Sequence, residues 1–403
     1  MDSIRAGSRA THGQRLVRWS KLLAALPLCL TAVDGLAAPT YAFSIVHAFS
    51  GTDGSCPNST LVRGSDGDYY GTTREGGKAS GSKGTVFRLT PNGRLQTLHT
   101  FVPAKDNASP NGVVLGTDGN LYGSTFGDWT ANRGGVVYRL SPNGDYSVVH
   151  AFDMFEGPQP IIQGLDGAFY GATTQGGGYW GGGRIYRLTA QGEYTVLHTI
   201  GVNYTDPLYT SGALVEGTPG TFYGATSDGG DSGFGAIYRV GLDGSFAVMH
   251  SFLRDGRDGQ QAFAGPSLAP DGSIVGTTAY STPYASGSVY RIDPAGNYTM
   301  AHGFADDGSE GIWPVTGLTV GPRGVAYGTT SASINADMTT GPGTVYQLKN
   351  GVLTVLHKFA ADGSEGSGTR GALTLLPNRD LMGVTCEDGP VGAGTIFRLR
   401  RID

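Results

Sequence analysis

Thr195-Val196-Leu197-His198-Thr199-Ile200 decides the reading of this chain, because the sequence returns to it six more times. The cognates are Val46-His47-Ala48-Phe49, Leu98-His99-Thr100-Phe101, Val149-His150-Ala151-Phe152, Met249-His250-Ser251-Phe252, Ala301-His302-Gly303-Phe304 and Leu356-His357-Lys358-Phe359. Seven of the eight histidines occupy this one context, at successive spacings of 52, 51, 48, 52, 52 and 55 residues. A period of about 50 residues marks a repeat array, and short strands within each period mark propeller blades.

Outward from the histidine, each period has the same parts. A short apolar strand such as Gly212-Ala213-Leu214-Val215 runs into a tight turn: Asp66-Gly67, Asp118-Gly119, Asp166-Gly167, Pro219-Gly220, Asp271-Gly272 or Arg323-Gly324. Asn378-Arg379 is the exception at a place where glycine supplies the positive φ of a two-residue hairpin. The second strand carries Tyr70-Gly71, Tyr122-Gly123, Tyr170-Gly171, Tyr223-Gly224, Val275-Gly276, Tyr327-Gly328 and Met382-Gly383. A glycine recurring inside a strand predicts the close passage of another backbone. A longer Gly-rich loop follows, then a third strand of the type Val86-Phe87-Arg88-Leu89 or Ile237-Tyr238-Arg239-Val240. A second tight turn leads back to the histidine strand.

This unit resembles the GloVer tandem repeat of bacterial secreted proteins, which reads approximately Tyr-Gly-Thr-Thr, Gly-Gly, Gly-Thr-Val-Phe-Arg-Leu, Leu-His-Ser-Phe. The match runs over residues 41 to 403. The resemblance implies an exported repeat protein, often held by a C-terminal anchor, and supplies no established activity. No anchor is expected after Arg398-Leu399-Arg400-Arg401-Ile402-Asp403.

Counting strands predicts closure. The first histidine strand, Phe43 to Phe49, precedes any third strand, and the last third strand, Thr395 to Leu399, is followed by nothing. The N-terminal strand is therefore expected to complete the last blade and leave no open edge. The fold class is all-β, a single seven-bladed propeller over 41–403. Its blades are expected at about 50–101, 102–152, 153–200, 201–252, 253–304, 305–359 and 360–403 plus 41–49.

Residues 1–37 read as a signal peptide, with Arg5, Arg9, Arg15, Arg18 and Lys21 ahead of the apolar run Leu22 to Val33. That run is too short, and too interrupted by Pro27, for a membrane span. The whole chain has 28 Lys and Arg against 33 Asp and Glu; without the leader the net charge falls from −5 to −8. An acidic exported chain disfavours nucleic acid and anionic membranes as partners. A periplasmic or extracellular monomer is expected. Cys56 and Cys386 both fall beside the closure seam, and export permits a disulfide between them.

Strand alternation places the two-residue turns on one face. The second–third loops and the blade connections fall on the other, the long-loop face, where function is expected. Trp129, Trp180 and Trp313 map there, with Tyr179, Tyr284, Phe126, Tyr204, Tyr209 and Tyr280. Exposed aromatics of this kind suit the apolar faces of sugar rings or a protein partner, and packed loop plugs are the plainer alternative. The seven repeated histidines stand one per blade, too far apart to share an ion, so a structural bond repeated in each blade is expected. Asp307, Glu310, Asp362 and Glu365 are weak Ca²⁺ candidates, their spacing missing known calcium-loop patterns. Glu75, Asp128, Asp231, Glu310, Glu365 and Glu387 offer carboxylates without singling out a pair. The expected function is an exported binding module for carbohydrate or an envelope partner, with no cofactor required. A propeller-type polysaccharide lyase or hydrolase and a structural scaffold are the alternatives. Three carboxylates, or a His–Arg–Tyr cluster, converging on the axis would favour an enzyme.

Overall fold

Backbone pairing sorts the strands of the described residues into seven antiparallel sheets of four or five strands, each ordered from an inner strand at the axis to an outer one at the rim, and two small two-stranded ribbons. In the computed structural model the described residues are 39–403, apart from 107–108, 128–131, 178–181, 204, 256–257, 282–285 and 335–339. Trp129, Trp180, Tyr179 and Tyr284, like the leader, lie outside them. Blade four is the most regular, with strands Pro207–Glu216, Thr221–Gly229, Ala236–Gly241 and Phe246–Ser251. In blades one and seven the inner strand is broken into two short pieces that pair with the same second strand. The helical content among the described residues is one turn, Pro103–Asp106.

The ring closes through its ends. Tyr41–Ala48 pairs antiparallel with Thr395–Arg401, from Tyr41 opposite Arg401 to Ala48 opposite Thr395. Cys56 and Cys386 form a disulfide across the same seam, their Cα atoms 3.8 Å apart and 330 residues apart in sequence. Cys386 belongs to the second strand of blade seven, Leu381–Glu387, rather than to the loop beyond it.

The recurring strand glycine has a different cause from the one expected. A side chain, rather than only another backbone, occupies its space. In blade five an ideal Cβ on Gly276 would lie 2.3 Å from the Tyr290 hydroxyl and 2.5 Å from its Cζ. The same third-strand ring lies across Gly123, Gly171, Gly224 and Gly328, and a phenylalanine lies across Gly71 and Gly383. Those rings, Tyr138, Tyr186, Tyr238, Tyr290, Tyr346, Phe87 and Phe397, are fully buried and form the middle of the core. Backbone does approach at Gly123, where the Gly112 carbonyl is 2.4 Å from the Cβ position.

The inner turns behave as their residues require. The turn glycines have φ between 70° and 85°, and Arg379 takes the same left-handed conformation at φ 68° with a side chain that opposes it. Arg379→Gly is therefore expected to stabilise the protein by about 0.5–1 kcal/mol, once glycine's greater unfolded-state freedom is deducted. Thermal melting checks this; an unchanged or lower midpoint counts against it.

Charge also matters on this face. Arg88, Arg187, Arg291 and Arg398 pair with Asp66 and Asp68, Asp166, Asp271 and Asp380 respectively. In blade six the turn carries Arg323 where most other blades carry Asp, and Gln347 replaces the arginine. An arginine at 347 would lack its carboxylate and face a like charge.

The histidine strand contains a feature that periodicity did not disclose. In every blade the register slips by one residue just before the histidine, as between Val148 and His150 or Val355 and His357. The extra residue (Val46, Leu98, Val149, Leu197, Met249, Ala301 or Leu356) packs inward against a core cluster. A bulge of this kind turns two consecutive side chains away from strict alternation. It frees the histidine ring to reach the connection ahead and the blade beyond.

Both contacts recur. His47, His250, His302 and His357 bond through Nε2 to Asp53, Asp258, Glu310 and Glu365 at 2.8–2.9 Å. His99 stands 3.4 Å from Asp106. The same carboxylates accept a backbone N–H at the start of the connection, as Glu310 does from Ala305 at 3.0 Å and Glu365 from Ala360 at 2.9 Å. In blade three Glu156 keeps the backbone bond to Asp153 but gives its charge to Arg184. Five rings also stack on the next blade's outer strand: His99 on Tyr146, His150 on Tyr194, His198 on Phe246, His250 on Tyr298 and His357 on Phe43. The histidines thus brace each long connection and couple neighbouring blades.

Burial holds His99, His150 and His198 below the ordinary imidazole pKa, with Asp106, Asp153 and Asp206 opposing the shift. A depressed folded value means the unfolded chain binds more protons once pH drops below about 6.5. Their contribution is complete above that pH and is lost as pH falls toward the folded values. The melting temperature is expected to decline between about pH 7 and 5. His198→Gln should flatten that slope, and a slope unchanged in variants of all three positions would refute the assignment.

Candidate functional site

The blades converge at the axis around a large opening. A cavity of about 1280 Å³ runs at the axis, lined by residues of all seven blades. That exceeds the roughly 300–1,000 Å³ of an ordinary small-molecule site. Its wall is made of small residues where the blades converge: Thr60, Pro160, Ala213, Gly265, Gly317 and Ala372. Glycine there answers crowding, since a Cβ on Gly265 would lie 1.8 Å from the Ala213 carbonyl. No long side chain at these places fills the axis.

The polar wall residues are already committed. Asn58 donates to the Pro110 carbonyl at 2.9 Å and Asn111 to the Pro158 carbonyl at 2.6 Å. Gln159 accepts from the Gly212 amide at 3.1 Å. Each bond joins one blade to the next, so these amides set the spacing of the wall. At the mouth the residues change character. Phe126 and Phe263 remain 37% and 45% exposed, large rings left in water at the edge of a cavity. Arg74, Glu75, Lys83 and Arg370 are exposed beside them.

The expected site residues fare unevenly. Trp313 is 37% exposed, as a binding aromatic would be, but it stands outside the cavity wall. Its backbone adopts φ 57° and bonds to Ser286 and Ser331, so its position is held by the chain. Phe126 lies at the mouth, whereas Tyr280, 39% exposed, lies elsewhere on the surface. Of the calcium candidates, Glu310 and Glu365 are bonded to His302 and His357. Asp307 and Asp362 accept the Ser309 and Ser364 amides within their own turns, at 2.9 Å each. Among the described residues no three His, Cys, Asp or Glu side chains converge as metal ligands. Glu75 is the one carboxylate among the described cavity-lining residues, and no histidine lines it. Phe263 and Arg370 were not foreseen, because neither residue type recurs at the corresponding place in the other blades.

Comparison with solved structures returns the same architecture. A streptogramin B lyase superposes with a TM-score of 0.60 at 15% identity, covering 90% of this chain and 98% of that one. A virginiamycin B lyase from Staphylococcus aureus gives 0.61 at 13% identity, covering 90% and 100%. The extracellular domain of a hybrid two-component system from B. thetaiotaomicron gives 0.54 at 11% identity, covering 88% of this chain and 39% of that one. At such identities the likeness is one of fold. No curated protein matches the sequence.

Fold and cavity together define a seven-bladed β-propeller with an open axial cavity on its long-loop face. The repeat itself settles the family: the Gloeobacter/Verrucomicrobia repeat matches residues 35–178 and again 157–397, and the chain belongs to it.

Proposed function

We propose that this protein is an exported binding module that holds carbohydrate in the axial cavity of its long-loop face. The observation that carries the reading is the mouth, where Phe126 and Phe263 stay exposed beside a volume large enough for several sugar rings. Rings left in water at a cavity edge can cover the apolar faces of sugars. Export is supported by the disulfide, since cytosolic thiols stay reduced, and by the leader read in the sequence. No helix among the described residues is long and apolar enough to cross a membrane.

Lyase chemistry, named for three of the structural neighbours, finds less support. One such neighbour is a catalytically inactive histidine-to-alanine variant of virginiamycin B lyase with quinupristin. The seven described histidines here stand in outer strands, and most are bonded to carboxylates or stacked on rings. Among the described residues the cavity lining has a single carboxylate, short of a general acid–base pair.

The test is a glycan array and polysaccharide pull-down with purified protein, beside Phe126→Ala, Phe263→Ala and Trp313→Ala. Each mouth phenylalanine is expected to contribute about ten-fold in affinity, with only the modest drop in melting that truncating a half-covered ring brings. Loss on Trp313→Ala would extend the site to the rim. Failure to retain any glycan would overturn the reading.

A further inference from the structure

We infer that the glycan taken by this cavity is anionic, its carboxylates or sulfates held by Arg74, Lys83 and Arg370; this rests on the binding reading above. These three are the cations that line the cavity, and Glu75 is the one acidic group among its described lining residues. The mouth is therefore net positive in a chain whose total formal charge is −5. Chance placement on an acidic surface would favour the opposite sign.

Several arginines elsewhere in the molecule are already committed to carboxylates. Arg88, Arg184, Arg187, Arg291, Arg398 and Arg401 are each paired with an aspartate or glutamate. Arg74, Lys83 and Arg370 have no ion pair among the described residues, and all three are exposed. A guanidinium presents a planar fork of donors that fits two oxygens of a carboxylate or sulfate at once. Two such forks and an ammonium around one mouth suit repeated oxyanions along a chain better than a single charge.

Their placement is held by the seam. Arg74 and Lys83 bracket the second–third loop of blade one, and Arg370 lies between the two inner-strand pieces of blade seven, Ser367–Thr369 and Thr374–Leu375. The Cys56–Cys386 bond ties these two blades together. Phe126 of blade two stands next along the ring, and Phe263 of blade five across it. A sugar chain entering the cavity would meet charge on the seam side and aromatic faces beyond. A mouth of one sign also raises the local concentration of oppositely charged ligand, an effect that salt screens.

The experiment compares four probes by titration calorimetry on the purified protein: oligogalacturonate, its methyl-esterified form, a sulfated oligosaccharide and a neutral glucan. An Arg74→Ala/Lys83→Ala/Arg370→Ala variant and a salt series accompany them. The expected result is a preference of roughly ten-fold or more for a charged probe over the neutral ones. That preference should shrink with salt and vanish in the triple variant, whose melting temperature stays the same. Tighter binding of oligogalacturonate assigns carboxylates, and of the sulfated chain, sulfates. Equal binding of neutral and charged probes would overturn the charge assignment while leaving the binding module intact. Binding of none of the four, together with an empty glycan array, would overturn both. If the triple variant unfolds, charge-retaining Arg370→Lys and Arg74→Lys variants serve instead. Weakened but salt-sensitive binding there supports the assignment, and unaltered binding with no salt dependence overturns it.

Discussion

A Cys56→Ser/Cys386→Ser variant is expected to melt well below the native protein, by a loss of about 3–5 kcal/mol. The bond closes a loop of 330 residues. Chain entropy alone gives such a loop roughly 6 kcal/mol of nominal stabilisation through the unfolded state, and measured values usually fall short of that limit. The backbone ladder between Tyr41–Ala48 and Thr395–Arg401 remains in the variant, so the ring should still form. What changes is the cost of opening it. Melting of the native protein with and without reductant gives the same comparison without mutation. Two free thiols in unfolded, unreduced protein would show that the bond is absent from the purified chain. A double variant that melts with the native protein would show that the bond adds nothing to the ladder.

The second large effect is expected from one methyl group. Gly276→Ala would set a Cβ 2.3 Å from the Tyr290 hydroxyl, and Tyr290 is wholly buried. The ring cannot swing into solvent, so the strand or its neighbour must shift, at a cost of about 2–3 kcal/mol. Tyr290→Phe is the informative companion. Its buried hydroxyl has no hydrogen-bond partner, so removing it should be neutral or slightly stabilising. Placed together, the two changes should cost less than Gly276→Ala alone, because the nearest clashing atom is gone. Equal losses in the single and double variants would mean that the ring is not what excludes the methyl. Gly224 and Tyr238 form the same pair in blade four and allow an independent repeat.

The repeat made the architecture legible because each blade solves the same packing problem with the same residues. Histidine, third-strand aromatic and turn glycine return at one spacing, and the position of each in the blade follows from alternation. The carboxylates that receive the histidines were harder to see. They lie six residues beyond His47, seven beyond His99 and eight beyond His250, a drift that hides them from any fixed period. The bulge leaves a faint trace, two apolar neighbours such as Val148-Val149 where alternation calls for one. The cavity mouth left none. Phe263 and Arg370 are single occurrences at places other blades fill differently, so no periodicity marks them. The rim aromatics drew attention by size alone, and size does not say which rings face an opening.

The stacked histidines have a mechanical consequence. Of the seven junctions between blades, five carry a histidine lying flat on an aromatic of the next outer strand. The corresponding place holds Leu353 at the junction of blades five and six and Leu95 at the junction of blades seven and one. The ring is thus two stiff arcs, one of five blades and one of two, meeting at two softer joints. One joint is the seam, and there the disulfide acts as a clasp. The other has no such fastening, so strain on the closed ring should concentrate between blades five and six. Unclasped by reductant, the smaller arc becomes the part free to swing, and it carries Arg370 with it.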